Sequence, residues 1–130
     1  MISGKWHILF CDEMEQICPV TEFINQCQPK HQVKVLRLLS LLEEHGPTLP
    51  RPYADILHDG IHELRFTLSK TNVRLLYFFC YQKFIVLYHA FFKNTHKVPE
   101  KYIRKVSEYR DVFLEKKSEK VLEELRHAVF

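Results

Sequence analysis

An α+β fold is what this sequence predicts, with an N-terminal strand and a helical hairpin followed by an antiparallel β-meander and a C-terminal helix. Three observations carry that reading. Apolar residues recur at helical spacing between Pro19 and His45, three strand-like apolar runs separated by turn residues fill positions 61 to 93, and helical spacing returns after Pro99.

The elements follow in order. Trp6-His-Ile-Leu-Phe-Cys11 is short, apolar and flanked by polar residues, which predicts a first strand. Pro19 suits the first turn of a short helix through Val20, Phe23, Ile24 and Cys27. Pro29 restarts the chain as a second helix, in which Val33, Leu36, Leu39 and Leu42 form a stripe broadened by Val35, Leu38 and Leu41, until Gly46-Pro47 ends it. Pro47, Pro50 and Pro52 predict an extended linker, since each restricts itself and its predecessor. After the turn signal Asp59-Gly60, Ile61, Leu64, Phe66 and Leu68 lead a strand that sends Glu63, Arg65, Thr67 and Ser69 to its other face. A hairpin through Lys70-Thr-Asn72 leads into Val73–Tyr81, and Gln82-Lys83 turns the chain into Phe84–Lys93. Pro99 begins a helix carrying Ile103, Val106, Phe113 and Leu114; Ser118 caps or interrupts its continuation through Val121, Leu122, Leu125 and Val129.

With 130 residues, of which 46% are hydrophobic, the chain has material for one core, so residues 1–130 are expected to form one domain with 115–130 as a helical extension. The richest apolar stretch, 73 to 92, is interrupted by Arg74, Gln82, Lys83 and His89, which excludes a membrane-spanning helix there. The N-terminus lacks the pattern of a secretory signal, and a cytoplasmic location is expected. Net charge is only +3, so any anionic partner must be met by local clustering, and Lys93 to Arg110 is such a cluster. Cys11, Cys18, Cys27 and Cys80 lack the paired spacing of zinc ligands or redox hairpins and read as free buried thiols; no metal or cofactor is expected.

Each of the three apolar runs brings one cation: Arg65 within the first, Arg74 at the start of the second and Lys93 at the end of the third. Such a group suits a phosphodiester backbone. Arginine offers a planar fork that stays protonated, and lysine a compact point charge. RNA cleavage can use the substrate's own 2′-hydroxyl as nucleophile, so a protein need only orient the backbone, assist proton transfer and neutralise developing charge. Lys97 adds charge beside Lys93, and Asn94 can hydrogen-bond phosphate. His96 is the first candidate for proton transfer, with His89 and His62 as alternatives. Tyr77 or Tyr88 can stack on a splayed base, although core packing is the plainer role for both.

The segments Pro19-Val-Thr-Glu-Phe-Ile24, Gly46-Pro47, Leu57-His-Asp-Gly-Ile-His-Glu-Leu-Arg65, Arg74-Leu-Leu-Tyr77 and Phe91-Phe-Lys-Asn-Thr95 with Pro99 resemble, in the same order, the phage-derived HigB-like branch of the RelE/ParE toxin superfamily. The resemblance spans roughly residues 6 to 114. It implies a RelE-like α+β toxin of a type II toxin–antitoxin pair, a metal-independent endoribonuclease that cuts messenger RNA on the ribosome. The partner it implies is a HigA-like helix-turn-helix antitoxin. On this reading the catalytic group is Arg65, Arg74, Lys93 and His96, with Lys97, Asn94 and Tyr77 contacting RNA, and a cupped sheet carries helices on one face and RNA on the other. Asn94 stands where the family often has a second lysine, and His96 where another polar residue is common. The alternative is a module of the same fold that binds RNA, ribosome or antitoxin without cutting.

Overall fold

A computed structural model describes residues 6–11, 18–93 and 97–128, the last four by their backbone. The elements run β1 (His7–Phe10), α1 (Pro19–Gln26), α2 (Pro29–His45), a 3-10 turn at Gly46–Thr48, β2 (Ala54–Ile56), β3 (His62–Leu68), β4 (Thr71–Cys80), β5 (Phe84–Phe92), α3 (Glu100–Lys116) and α4 (Glu119–Ala128). The expected α+β organisation is present. The strands form one five-stranded sheet in the order β1-β5-β4-β3-β2, antiparallel except where β1 lies parallel to β5.

Alternation along the strands divides the core in two. One face presents Leu64, Phe66, Leu68, Val73, Leu75, Tyr77, Ile85 and Leu87 to Val20 of α1 and to Val35, Leu39 and Leu42 of α2. The other presents Leu76, Phe78, Phe84 and Val86 to Ile103, Val106 and Phe113 of α3 and to Leu122 of α4. Helices thus cover both faces, which corrects the expectation of helices on one face and RNA on the other. Runs such as Leu75–Phe78 are apolar at every position because neither side of the sheet's centre meets water.

Local differences from the sequence reading have physical causes. In α2 the buried stripe is Val35, Leu39 and Leu42, at the i, i+4, i+7 spacing of one helical face, while Val33 and Leu36 are exposed. The β3–β4 hairpin turns at Ser69-Lys70, both at positive φ, so that Leu68 faces Thr71 and β4 begins two residues before Val73. Two consecutive left-handed residues form the tight turn whose twist matches paired strands, without glycine at either position. Within the Pro-rich segment lies the short edge strand β2, paired to β3 through Ala54, Asp55 and Ile56. A bulge opposite Leu76 and Tyr77 makes Tyr88 the extra residue of β5. Cys11 and Cys18 are joined as a disulfide, because the end of β1 meets the start of α1 with the two Cα atoms 5.4 Å apart; only Cys27 and Cys80 are free thiols. The Ser118 hydroxyl accepts the Val121 N–H at 3.2 Å, so this residue caps α4.

Candidate functional site

The β3–β4 register sets Arg65 directly opposite Arg74 and Glu63 opposite Leu76, all on the face that carries α3. Two cations facing each other across a ladder repel. Carboxylates from neighbouring positions offset this: Glu63 lies 3.2 Å from Arg74, Oε1 to Nε, and Asp55 lies 4.0 Å from Arg65, Oδ2 to Nη1. Asp55 also accepts from Arg51 Nη2 at 2.8 Å, the main reason its carboxyl is held below the usual range. The Arg74 guanidinium donates to the Val73 carbonyl at 3.1 Å, and its side chain and that of Glu63 are almost wholly buried. Although Glu63 Oε1 and Arg74 Nε lie within ion-pair distance, they lack hydrogen-bond alignment, and among the described residues neither atom has another hydrogen-bond partner.

Burial dominates the electrostatics. It raises the Glu63 carboxyl despite the opposing pull of Arg74, Arg65 and Lys93, and it lowers the Arg74 guanidinium. At Lys93 burial again acts first, with the nearby Arg74 charge adding to it, and the ammonium is lowered. The backbone N–H of Lys93 donates to the Asn72 carbonyl at 2.8 Å, which ties the end of β5 to the start of β4 and sets the lysine beside the arginines.

These groups line one open cavity of about 360 Å³ between the β2–β3–β4 corner and the N-terminus of α3. Arg65, Arg74, Lys93 and Lys97 supply its cations; Asp55, Glu63 and Glu100 supply its carboxylates. Leu57, Val98 and Ile103 give it an apolar floor. At the rim His58 bridges Glu100, at 2.7 Å, and Asp59, at 3.0 Å, while Arg110 donates to the Asp59 carbonyl, so the β2–β3 turn is fastened to α3. A backbone phosphate entering here would meet fixed donors from two strands and the β5 exit. Among the described residues no cluster of three or more His, Cys, Asp or Glu has the arrangement of a metal site.

Arg65, Arg74, Lys93 and Lys97, singled out in the sequence, are therefore brought together. Asn94 and His96 lie outside the described residues. Tyr77 is the correction: it is 1% exposed and faces α1 and α2, so its ring has no access to a base. Its periodicity placed it on the apolar face of β4, one position away from the site face. Tyr88 packs against Tyr109 with ring centroids 4.7 Å apart. Of the alternative histidines, His62 stacks on Tyr77 and His89 sits against Phe91 and Tyr102; among the described residues neither lines the cavity. The groups the sequence reading missed are Asp55, Glu63, His58 and Glu100. Glu63 carried a signal, as an acid alternating with Arg65 on a strand; Asp55 was hidden in a segment whose prolines suggested a linker.

No curated protein matches the chain. The model of the family described as Phage derived protein Gp49-like (DUF891) matches residues 22–111, a span that contains every described residue lining the cavity. The family is associated with the toxins of toxin–antitoxin systems and implies an antitoxin partner. Matched over more than half its length, and folded as a mixed α+β domain compatible with a RelE-like fold, the protein belongs to the phage-derived Gp49-like family, a RelE/HigB-like toxin-type family.

Proposed function

We propose that the protein is the toxin of a type II toxin–antitoxin pair, an endoribonuclease that cuts messenger RNA on the ribosome in the cytoplasm and thereby stops translation. The observation that carries this reading is the convergence of Arg65 from β3, Arg74 from β4 and Lys93 from the exit of β5 on one cavity with a buried carboxylate among them. Arg65, the more accessible arginine, grips the scissile phosphate. Arg74, immobilised by Glu63 and the Val73 carbonyl, holds charge at a fixed point where it stabilises the phosphorane without having to reorganise. The 2′-hydroxyl oxygen attacks phosphorus, its proton passes to a base, and the bond from phosphorus to the 5′ oxygen breaks as that oxygen takes up a proton. Glu63 is the described group we assign to the first transfer, since it lines the cavity beside Arg74 and burial raises its carboxyl above the ordinary value. Lys93, its ammonium eased toward proton release, serves the leaving oxygen. His96 and Asn94 are proposed as further participants on sequence grounds alone. A HigA-like helix-turn-helix protein is the proposed antitoxin.

One observation favours a second reading, in which the same fold binds RNA or a partner without cutting. The cavity's cations are largely offset by Asp55, Glu63 and Glu100, which also suits recognition without turnover. Induced expression with and without the adjacent gene, followed by mapping of message ends on translating ribosomes, separates the two. New ends that disappear in Arg65→Ala support cutting. Growth arrest without new ends supports binding alone, and neither arrest nor new ends would sink the toxin reading.

A further inference from the structure

The cavity's cations do not stop at its mouth. Lys97 lines the cavity and is exposed, and one helical turn further Lys101 begins a basic face of α3 that continues through Arg104 and Lys105. The opposite side of α3 is fixed in the core by Ile103, Val106 and Phe113, so these three cations must point outward. All three are exposed, and among the described residues none takes part in an ion pair, whereas Arg110, Lys83 and Arg51 are each held by a carboxylate. They line a second shallow cavity of about 340 Å³ together with Tyr102 and Glu108. Tyr102 is held between His89, with centroids 5.0 Å apart, and Phe91, 4.7 Å apart, and the Lys101 ammonium lies 5.4 Å from its ring centre. The groove thus has a rigid aromatic floor, and Glu108 closes its far end with a negative charge.

We propose that Lys97, Lys101, Arg104 and Lys105 form a track for the single-stranded RNA that leaves the cutting cavity, holding its phosphates without regard to sequence. The track rests on the cavity being an RNA site, because it is the continuity of charge from Lys93 through Lys97 that selects the emerging strand as its occupant. From Lys101 to Lys105 the helix advances about 6 Å, which lets successive cations meet neighbouring phosphates. With no bidentate base-reading pair among them, lysine-rich contacts of this kind position a strand and do not specify it.

Binding of 2′-O-methyl RNA, which lacks the nucleophile and is not cut, tests the track. A short strand of about 4 nucleotides fills the cavity alone, and strands of about 12 nucleotides extended on either side also reach α3. The unaltered protein binds one extended strand more tightly than the short one. In K101Q/R104Q/K105Q that advantage is lost, the slope of log affinity against log salt falls by about 2, and the short strand binds as before. The charge-preserving K101R/R104K/K105R restores the advantage, and melting by circular dichroism shows that the glutamine variant stays folded. Equal affinity for short and extended strands in the unaltered protein, an advantage that survives in the glutamine variant, or a loss confined to duplex RNA would each overturn the track. Failure of the cavity reading looks different: Arg65→Ala then leaves short-strand binding and message cutting unchanged.

Discussion

The two faces of the sheet are built from alternate residues of the same strands, yet they behave as different materials. On the α1–α2 side, Leu64, Phe66, Val73, Leu75, Tyr77 and Leu87 make an uninterrupted apolar surface. On the α3–α4 side the apolar surface of Leu76, Phe78 and Val86 gives way, at the β2–β3–β4 corner that α3 leaves open, to Asp55, Glu63, Arg65 and Arg74. Stepping one residue along β4, from Arg74 to Leu75, crosses from site to core. The comparison teaches that one strand can supply stability and chemistry together because its period of two keeps them apart.

Substitutions ranked by their effect on folding stability probe that division. The largest belongs to the buried pair: Arg74→Met alone leaves Glu63 buried without its counter-charge and costs about 3–5 kcal/mol in urea denaturation. Adding Glu63→Leu returns stability to near that of the unaltered protein, while message cutting stays lost. If the double variant is no more stable than the single one, Glu63 and Arg74 are not a coupled unit. Next comes Leu75→Ala on the other face, which costs about 2–5 kcal/mol through cavity formation yet leaves cutting per folded molecule intact. Reduced turnover in the folded fraction would show that the faces are not independent.

Arg65→Ala reverses the pattern. Its unfolding free energy changes by no more than about 0.5 kcal/mol, as expected of a partly exposed residue away from the core. Its single-turnover cutting rate falls by about 10²–10³-fold, the loss typical of one fixed donor at a developing charge. Wild-type cutting would remove Arg65 from the site.

The pH dependence yields two smaller effects of the same sign, since both groups are raised on folding and stability falls as pH rises through each. Burial raises Glu63 above its ordinary 4.5, so the folded protein keeps that proton longer than the unfolded chain, and stability declines as pH climbs from 4.5 through the raised value. Glu63→Gln flattens that decline in melting curves; an unchanged slope would mean that another group causes it. Smallest is His58, raised first by Glu100 and then by Asp59. Its contribution is complete below its ordinary 6.5 and is lost as pH rises through the folded value. His58→Gln removes this dependence, and hydrogen exchange at the N-terminus of α3 becomes faster; unaltered exchange would show that Arg110 alone fastens that end.

Much of this was legible in residue order because periodicity and turn chemistry act locally. Proline at positions 19 and 29 marked both helix starts, Gly46 ended α2, and alternation in β3 put Arg65 on the polar side before any partner strand was known. The grouping of Arg65, Arg74 and Lys93 followed from a meander in which β3 and β4 each carry one cation and the third directly follows β5. What failed needed a neighbour to decide it. Tyr77 reads equally as base platform or core ring until the helices on its face are placed, and Val33 reads as core until the sheet selects Val35 instead. The strand inside the proline segment, the Cys11–Cys18 bond and the second helical layer are likewise products of pairing across the chain.

By itself, then, the sequence determined the kinds of element, the apolar and polar sides of β3 and the cations available for a site, since these depend on spacing within one segment. Only the tertiary structure decided which carboxylates stand among those cations. Asp55 lies 10 residues from Arg65 in sequence, and Glu63 lies 11 from Arg74, and both pairs exist because antiparallel strands fold distant positions onto one face. Burial then sets their charge, and burial is a property of what the rest of the chain covers.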